Sequence, residues 1–199
     1  MKSYVRVLVL AAAVSVSSPV VAQNLDKQWA DCESDNGSVS SDDSIAACTA
    51  VIESGKETPA NLAMAYYDRG TEYAASKNDV RAIADYDRAI AINPTASAYF
   101  NRGNSYHRTG NDEHSIADYD SAIQLDPKYV KAYTNRGNRY FTKGDYKAAI
   151  ADFEAALSVD PQHATALYGR GLSLEKLGRT TEGEADIAKA KEIDPHIAD

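Results

Sequence analysis

Apolar and small residues return along most of this chain at helical spacing, and the pattern itself repeats. Between Ala63 and Ile197 a block of about 34 residues recurs four times. Each copy opens with an aromatic residue, an Arg-Gly pair and a second aromatic: Tyr66, Arg69, Gly70 and Tyr73; Tyr99, Arg102, Gly103 and Tyr106; Tyr133, Arg136, Gly137 and Tyr140. The fourth copy keeps Arg170 and Gly171 but has Leu167 and Leu174 in the aromatic places. A second run follows, made of a small residue, a bulky one four later and an alanine three after that: Ala82, Tyr86, Ala89; Ser115, Tyr119, Ala122; Ala149, Phe153, Ala156; Gly183, Ile187, Ala190. Spacings of three and four put each run on one face of a helix, so each copy predicts two helices.

Punctuation agrees with that reading. Pro94, Pro127, Pro161 and Pro195 close the copies, because a residue without a backbone N–H ends a helix. Gly110, Gly144 and Gly178 fall where the first helix of a copy should stop in a left-handed cap. The first copy has Lys77 there and is one residue short, so its inner turn is expected to be less regular. Gly70, Gly103, Gly137 and Gly171 sit where two helices must come close, with Ala82, Ser115, Ala149 and Gly183 as the expected partners.

The order bulky, small, bulky, small, bulky, small, proline at these offsets resembles the tetratricopeptide repeat (TPR). That resemblance implies an all-α, right-handed α-solenoid of helix-turn-helix TPR units, here over residues 63–95, 96–129, 130–163 and 164–197. The last unit carries Glu184 and Lys191 where earlier copies have Ile83 and Ile90, Ile116 and Ile123, Ile150 and Leu157. Charge on the face that would receive a further unit predicts a polar C-terminal end at which stacking stops.

Ahead of the repeats, Lys2 and Arg6 precede an apolar run from Val7 to Val16, then Pro19 and Val20-Val21-Ala22. Residues 1–22 thus have the layout of a secretory signal peptide, too short in its apolar part for a comfortable membrane span; a retained anchor helix is the alternative. The chain is therefore expected to be an exported bacterial type, periplasmic or extracellular, with no membrane attachment after cleavage. Cleavage removes two basic and no acidic residues and takes the formal charge from -8 to -10, which argues against nucleic acid and anionic lipid as partners.

Residues 23–58 predict an N-terminal helical hairpin cap, with helices over Leu25–Glu33 and Ser44–Ser54 around a polar loop. Cys32 and Cys48, an even count in an exported chain, are expected to form a disulfide across it. Reactive or metal-binding cysteines are the other reading, without a C-x-x-C pair or a neighbouring His to support it.

Every copy also has Arg in its first helix and Asp sixteen residues later: Arg69 with Asp85, Arg102 with Asp118, Arg136 with Asp152, Arg170 with Asp186. A fixed pair in every copy predicts structural ion pairs across each hairpin. By the resemblance, the first helices line a concave peptide-binding groove. Its expected contacts are Tyr67, Phe100, Phe141 and Tyr168 as flat apolar area, Asn101, Asn104, Asn135 and Asn138 as grips for a peptide backbone, and Arg108 and Lys131 as cations. With Lys176 and against Glu175, that wall is expected to carry a net charge of +2. Cytosolic adaptors of the family hold a C-terminal carboxylate with Lys, Asn, Asn, Lys and Arg. Only Asn101 and Lys131 match that clamp, with Tyr67, Thr71 and Asn135 in the other places.

Catalytic chemistry is thin. His107, His114, His163 and His196 are scattered without metal-ligand spacing, and no nucleophile motif or phosphate-cradling loop occurs, so no enzyme activity, cofactor or metal is expected. The reading is a non-enzymatic protein-protein interaction module that takes an extended peptide or protein segment in its groove. The alternative is a structural subunit of a cell-envelope complex, docked through its convex face or N-terminal hairpin. Partner identity and oligomeric state stay open.

Overall fold

In a computed structural model, which describes residues 19–33 and 39–197, the described residues form ten helices and no strand. The first eighteen residues of the expected leader, and residues 34–38 of the polar loop, lie outside the described residues. The helices are α1 (Pro19–Cys32), α2 (Ser41–Glu53), α3 (Pro59–Ala75), α4 (Asp79–Ile92), α5 (Ala96–Arg108), α6 (Asp112–Leu125), α7 (Val130–Thr142), α8 (Tyr146–Val159), α9 (Ala164–Lys176) and α10 (Thr180–Ile193). Each packs on its sequence neighbours, and α3 also meets α5, and α7 meets α9, as first helices of adjacent units. The result is an α-solenoid.

Helix starts follow from their caps. Thr58, Asn78, Thr95, Asn111, Asp145 and His163 each accept a backbone N–H of the first turn through the side chain, replacing one bond that the helix cannot make itself. The hairpin helices differ from expectation in length. Helix α1 starts at Pro19 rather than Leu25, and therefore runs through Ala22; proline suits a first helical position, where no N–H is needed. Helix α2 starts at Ser41 rather than Ser44, because Ser40 caps it and Asp42 and Asp43 place negative charge at its positive end.

The inner turn of the first unit is a correction. Lys77 adopts φ 60°, the conformation of Gly110, Gly144 and Gly178. Asn78 N–H bonds Tyr73 O as Asn111 bonds Tyr106 O, so the turn keeps the form of the others and the backbone strain stays on Lys77. The missing residue falls instead in the connector between α4 and α5, from Asn93 to Thr95, against Asp126 to Tyr129 between α6 and α7.

A second correction concerns the helix contacts. A Cβ on Gly70, Gly103 or Gly137 would meet the ring of Tyr86, Tyr119 or Phe153 at 2.9 Å, so in these units the glycine makes room for the bulky residue rather than for the small one. In the last unit, where Ile187 is the bulky residue, the backbone of Gly183 also comes within 2.8 Å of that place. Gly169, which the repeat pattern does not single out, lies against Phe153 more tightly still, at 2.5 Å from its Cζ.

Cys32 and Cys48 form a disulfide, buried with Ala47 between α1 and α2. The hairpin is further tied by Ser44 Oγ donating to Asp31 O, and to α3 by Arg69 donating to Thr49 Oγ1. At the other end Glu184 and Lys191 face solvent, whereas the equivalent Ile150 and Leu157 are buried. Ile197 folds back onto the final core around Ala190.

Candidate functional site

The first helices α3, α5, α7 and α9 form one wall, and what holds that wall decides what it can present. One arginine of each lies inside a hairpin and grips the following helix: Arg69 Nε and Nη2 donate to Asp85 at 2.8 Å each, and Arg102, Arg136 and Arg170 bind both oxygens of Asp118, Asp152 and Asp186 in the same manner. Two parallel bonds in fork geometry fix orientation as well as charge. In the first three units the guanidinium also covers the preceding aromatic ring, Tyr66, Tyr99 or Tyr133, at 5.4 to 5.7 Å from the centroid. Burial raises the carboxyls of Asp118 and Asp152 above their ordinary value although the guanidiniums pull them down.

The remaining nitrogen of these arginines does something the repeat pattern did not disclose. Arg102 Nη1 donates to Asp87 of the preceding unit at 2.6 Å, and Arg136 Nη1 does so to Asp120. The signal was the doubled acid of Asp85-Tyr86-Asp87 and Asp118-Tyr119-Asp120, two residues apart on one helix. In the last unit the homologous residue is Glu154, and Arg170 Nη1 has no hydrogen-bond partner among the described residues.

Between first helices, side-chain amides and hydroxyls bridge the wall. Asn101 Nδ2 donates to Tyr67 Oη at 3.0 Å across α3 and α5, and Asn135 Nδ2 donates to Asn104 Oδ1 at 2.8 Å across α5 and α7. Tyr119 Oη donates to the same Asn104 Oδ1 at 2.7 Å. Arg139 Nη1 lies 2.7 Å from His107 Nδ1, a further α5–α7 contact. Three of the four asparagines expected to grip a ligand are therefore bonded to neighbouring helices. Asn138 is half-buried and its side chain has no hydrogen-bond partner among the described residues.

Other expected contacts are redistributed. Phe100 belongs to the core: it is 9 % exposed, with the Tyr119 and Tyr129 rings 5.8 and 5.0 Å away, so it offers no flat area to a guest. Tyr129, supplied by the longer connector before α7, covers it. Arg108 turns to α4, where its Nε and Nη2 reach Asp79 Oδ1 at 2.8 and 2.6 Å. Burial raises the Asp79 carboxyl, but hydrogen bonds led by that from Arg108 outweigh it and hold the group below the ordinary carboxylate value. With Arg108 matched by Asp79, the expected excess of +2 on this wall falls to +1, from Lys131 and Lys176 against Glu175. Lys131 is exposed without an ion-pair partner among the described residues. Phe141 and Tyr168 are half-buried and pack on the edge of the last core.

Two recesses open along the seam of α3 and α5. One, of about 320 Å³, is lined by Ala63, Met64, Tyr67, Ala89 and Ala98, and Met64 is 45 % exposed there. The other, of about 230 Å³, is lined by Thr71, Ala74, Asn101, Asn104 and Arg108. Among the described residues, no group of three potential metal ligands gathers and no helix is long and apolar enough to cross a membrane.

The family model described as TPR repeat matches residues 70–110 and 103–138, and the one described as tetratricopeptide repeat matches residues 134–196. No curated protein matches in sequence. Among solved structures, a crystal structure of MamA protein superposes with a TM-score of 0.76 at 21% identity, covering 87% of this chain and 93% of that one. YrrB, described as a TPR protein with an unusual peptide-binding site, gives 0.66 at 19% identity over 78% of this chain and 79% of its own. The TPR domain of Arabidopsis OM64 is 28% identical with a TM-score of 0.57, covering 59% of this chain and 98% of that one.

Proposed function

The chain belongs to the tetratricopeptide repeat family, and from that premise we propose that it is a non-enzymatic, exported interaction module that binds an extended peptide or protein segment along its first-helix wall. The observation carrying this reading is the pair of cross-unit bonds, Asn101 to Tyr67 and Asn135 to Asn104. They hold the wall in one arrangement before a guest arrives, so little ordering entropy is lost on the receptor side. Lys131 and Asn138 stand on the same wall with their polar groups uncommitted. The peptide-binding site named for YrrB is in keeping with this use of the fold.

Export rests on the leader-like residues 1–22 and on the Cys32–Cys48 disulfide, a bond that persists in oxidising compartments. A periplasm is the favoured location, the cell exterior the other.

The test is affinity capture from the host's own envelope extract, with the wild-type chain beside Asn104→Asp, Lys131→Ala, Asn138→Ala combined. Proteins retained by the first and lost by the second support the wall as the binding site. An identical set of captured proteins would favour instead a structural subunit docked through the convex face or the N-terminal hairpin.

A further inference from the structure

We infer that the α3–α5 seam reads one apolar side chain and, roughly three to five residues away, one peptide unit of an extended guest; this rests on the proposed binding role of the first-helix wall. The more apolar end is the recess at Met64, lined by four alanines, Met64 and the Tyr67 ring, with Asn93, Thr95 and Ser97 beside them. Beyond the Tyr67–Asn101 bond the lining changes character.

Hydrogen-bond accounting in the second recess is selective. The Thr71 hydroxyl donates to Tyr67 O and accepts from Tyr86 Oη, so both hydroxyls are used. Asn104 Oδ1 already accepts twice, from Tyr119 and Asn135, which turns its Nδ2 away from them. Asn101 spends Nδ2 on Tyr67, which leaves its Oδ1. Arg108 spends Nε and Nη2 on Asp79, which leaves Nη1. The recess thus offers one acceptor, Asn101 Oδ1, beside the donors Asn104 Nδ2 and Arg108 Nη1. A peptide unit supplies the complement: its N–H donates to Asn101 and its C=O accepts from Asn104. Arg108 Nη1 meets a further carbonyl or carboxylate oxygen.

Spacing sets the register. From Met64 to Ala74 on α3, and from Ser97 to Asn104 on α5, the helix rise separates the two recesses by roughly 10 to 15 Å. An extended chain covers that in roughly three to five residues at about 3.3 Å each.

Two terminally blocked heptapeptides serve as probes, both of serine and threonine only, one with a central leucine and one with alanine there. Titrated into isotope-labelled protein, the leucine peptide is expected to bind about tenfold more tightly, since its larger side chain loses more apolar surface to the recess. It should shift the Met64 methyl and the Asn104 side-chain amide signals together. Met64→Glu, at an exposed position, should abolish the leucine preference. Asn104→Asp keeps the acceptor for Tyr119 and Asn135 but removes the donor, and should weaken both peptides at least about fivefold while leaving the preference. Equal binding of the two peptides, or unchanged affinity in Asn104→Asp, overturns the inference. Shifts confined to Asn138 and Tyr168 overturn it while leaving the wall as the binding site; no shift on any first helix overturns both.

Discussion

Arg102 Nη1 lies 2.6 Å from Asp87 Oδ1, so one side chain joins the second unit to the first while its other nitrogens hold Asp118 within its own hairpin. The two bonds differ in worth because their surroundings differ. The Asp118 side chain is almost wholly buried, whereas that of Asp87 is half exposed. Asp118→Ala should destabilise by about 3 kcal/mol, because it takes from a mostly buried guanidinium the carboxylate that holds two of its nitrogens. Asp87→Ala should cost less than about 1 kcal/mol. Urea unfolding of both variants decides the order.

Lys77→Gly should raise stability by about 1 kcal/mol. Lys77 holds the left-handed conformation that costs a residue with a Cβ roughly that much, and glycine adopts it freely. A thermal midpoint that falls would contradict the account of this turn.

Gly169→Ala tests the tightest contact in the core. Alanine gains about 1 kcal/mol of helix propensity, but its Cβ would stand 2.5 Å from Phe153, a ring with no exposed surface. A net loss of about 1 to 2 kcal/mol is expected, and pairing the change with Phe153→Leu should recover part of it in a double-mutant cycle.

Asp79 and Asp152 should respond to acid with opposite signs. The Asp79 carboxyl is depressed when folded, so its contribution is present in full above the unfolded value, near 4, and lost as pH falls through the folded one. Asp79→Asn should therefore be less stable than wild type at pH 7, by no more than about 1 kcal/mol since Arg108 is half exposed, with the gap closing in acid. Asp152 is raised by burial, so its contribution is present below the unfolded value and lost as pH rises through the folded one. In Arg136→Met, which removes its partner, unfolding free energy should increase as pH is lowered from 7 toward 4.

Reduction of Cys32–Cys48 should loosen the cap before the repeats. Closing sixteen residues of sequence is worth about 3 kcal/mol in the chain-entropy model. Hydrogen exchange under reductant should therefore accelerate in α1 and α2 while α6 and α8 stay protected; uniform acceleration would mean that the cap is not a separate unit of stability.

Periodicity made the helices legible, because a repeated unit states each packing position four times. The Arg and Asp columns could be read for the same reason, and the structure joins them as forks within each hairpin. What stayed hidden depends on neighbours outside a unit. Phe100 occupies the column of the half-buried Tyr67 and Tyr168, and only the Tyr129 ring from the next connector turns it inward. Arg108 looked like a free groove cation because Asp79 is 29 residues away in sequence. The asparagines offered no sign of which oxygen or nitrogen a neighbouring helix would take, and Gly169 has no counterpart in other copies to mark it.

The most direct measurement is the affinity of a captured partner for three proteins by titration calorimetry: wild type, the wall variant Asn104→Asp, Lys131→Ala, Asn138→Ala, and a variant with arginine at the exposed Ala117 and Ala151 of the second helices. The account predicts at least about a tenfold loss, or 1.4 kcal/mol, in the wall variant and an unchanged constant in the other. Loss in the second-helix variant alone, with the wall variant binding like wild type, would contradict it.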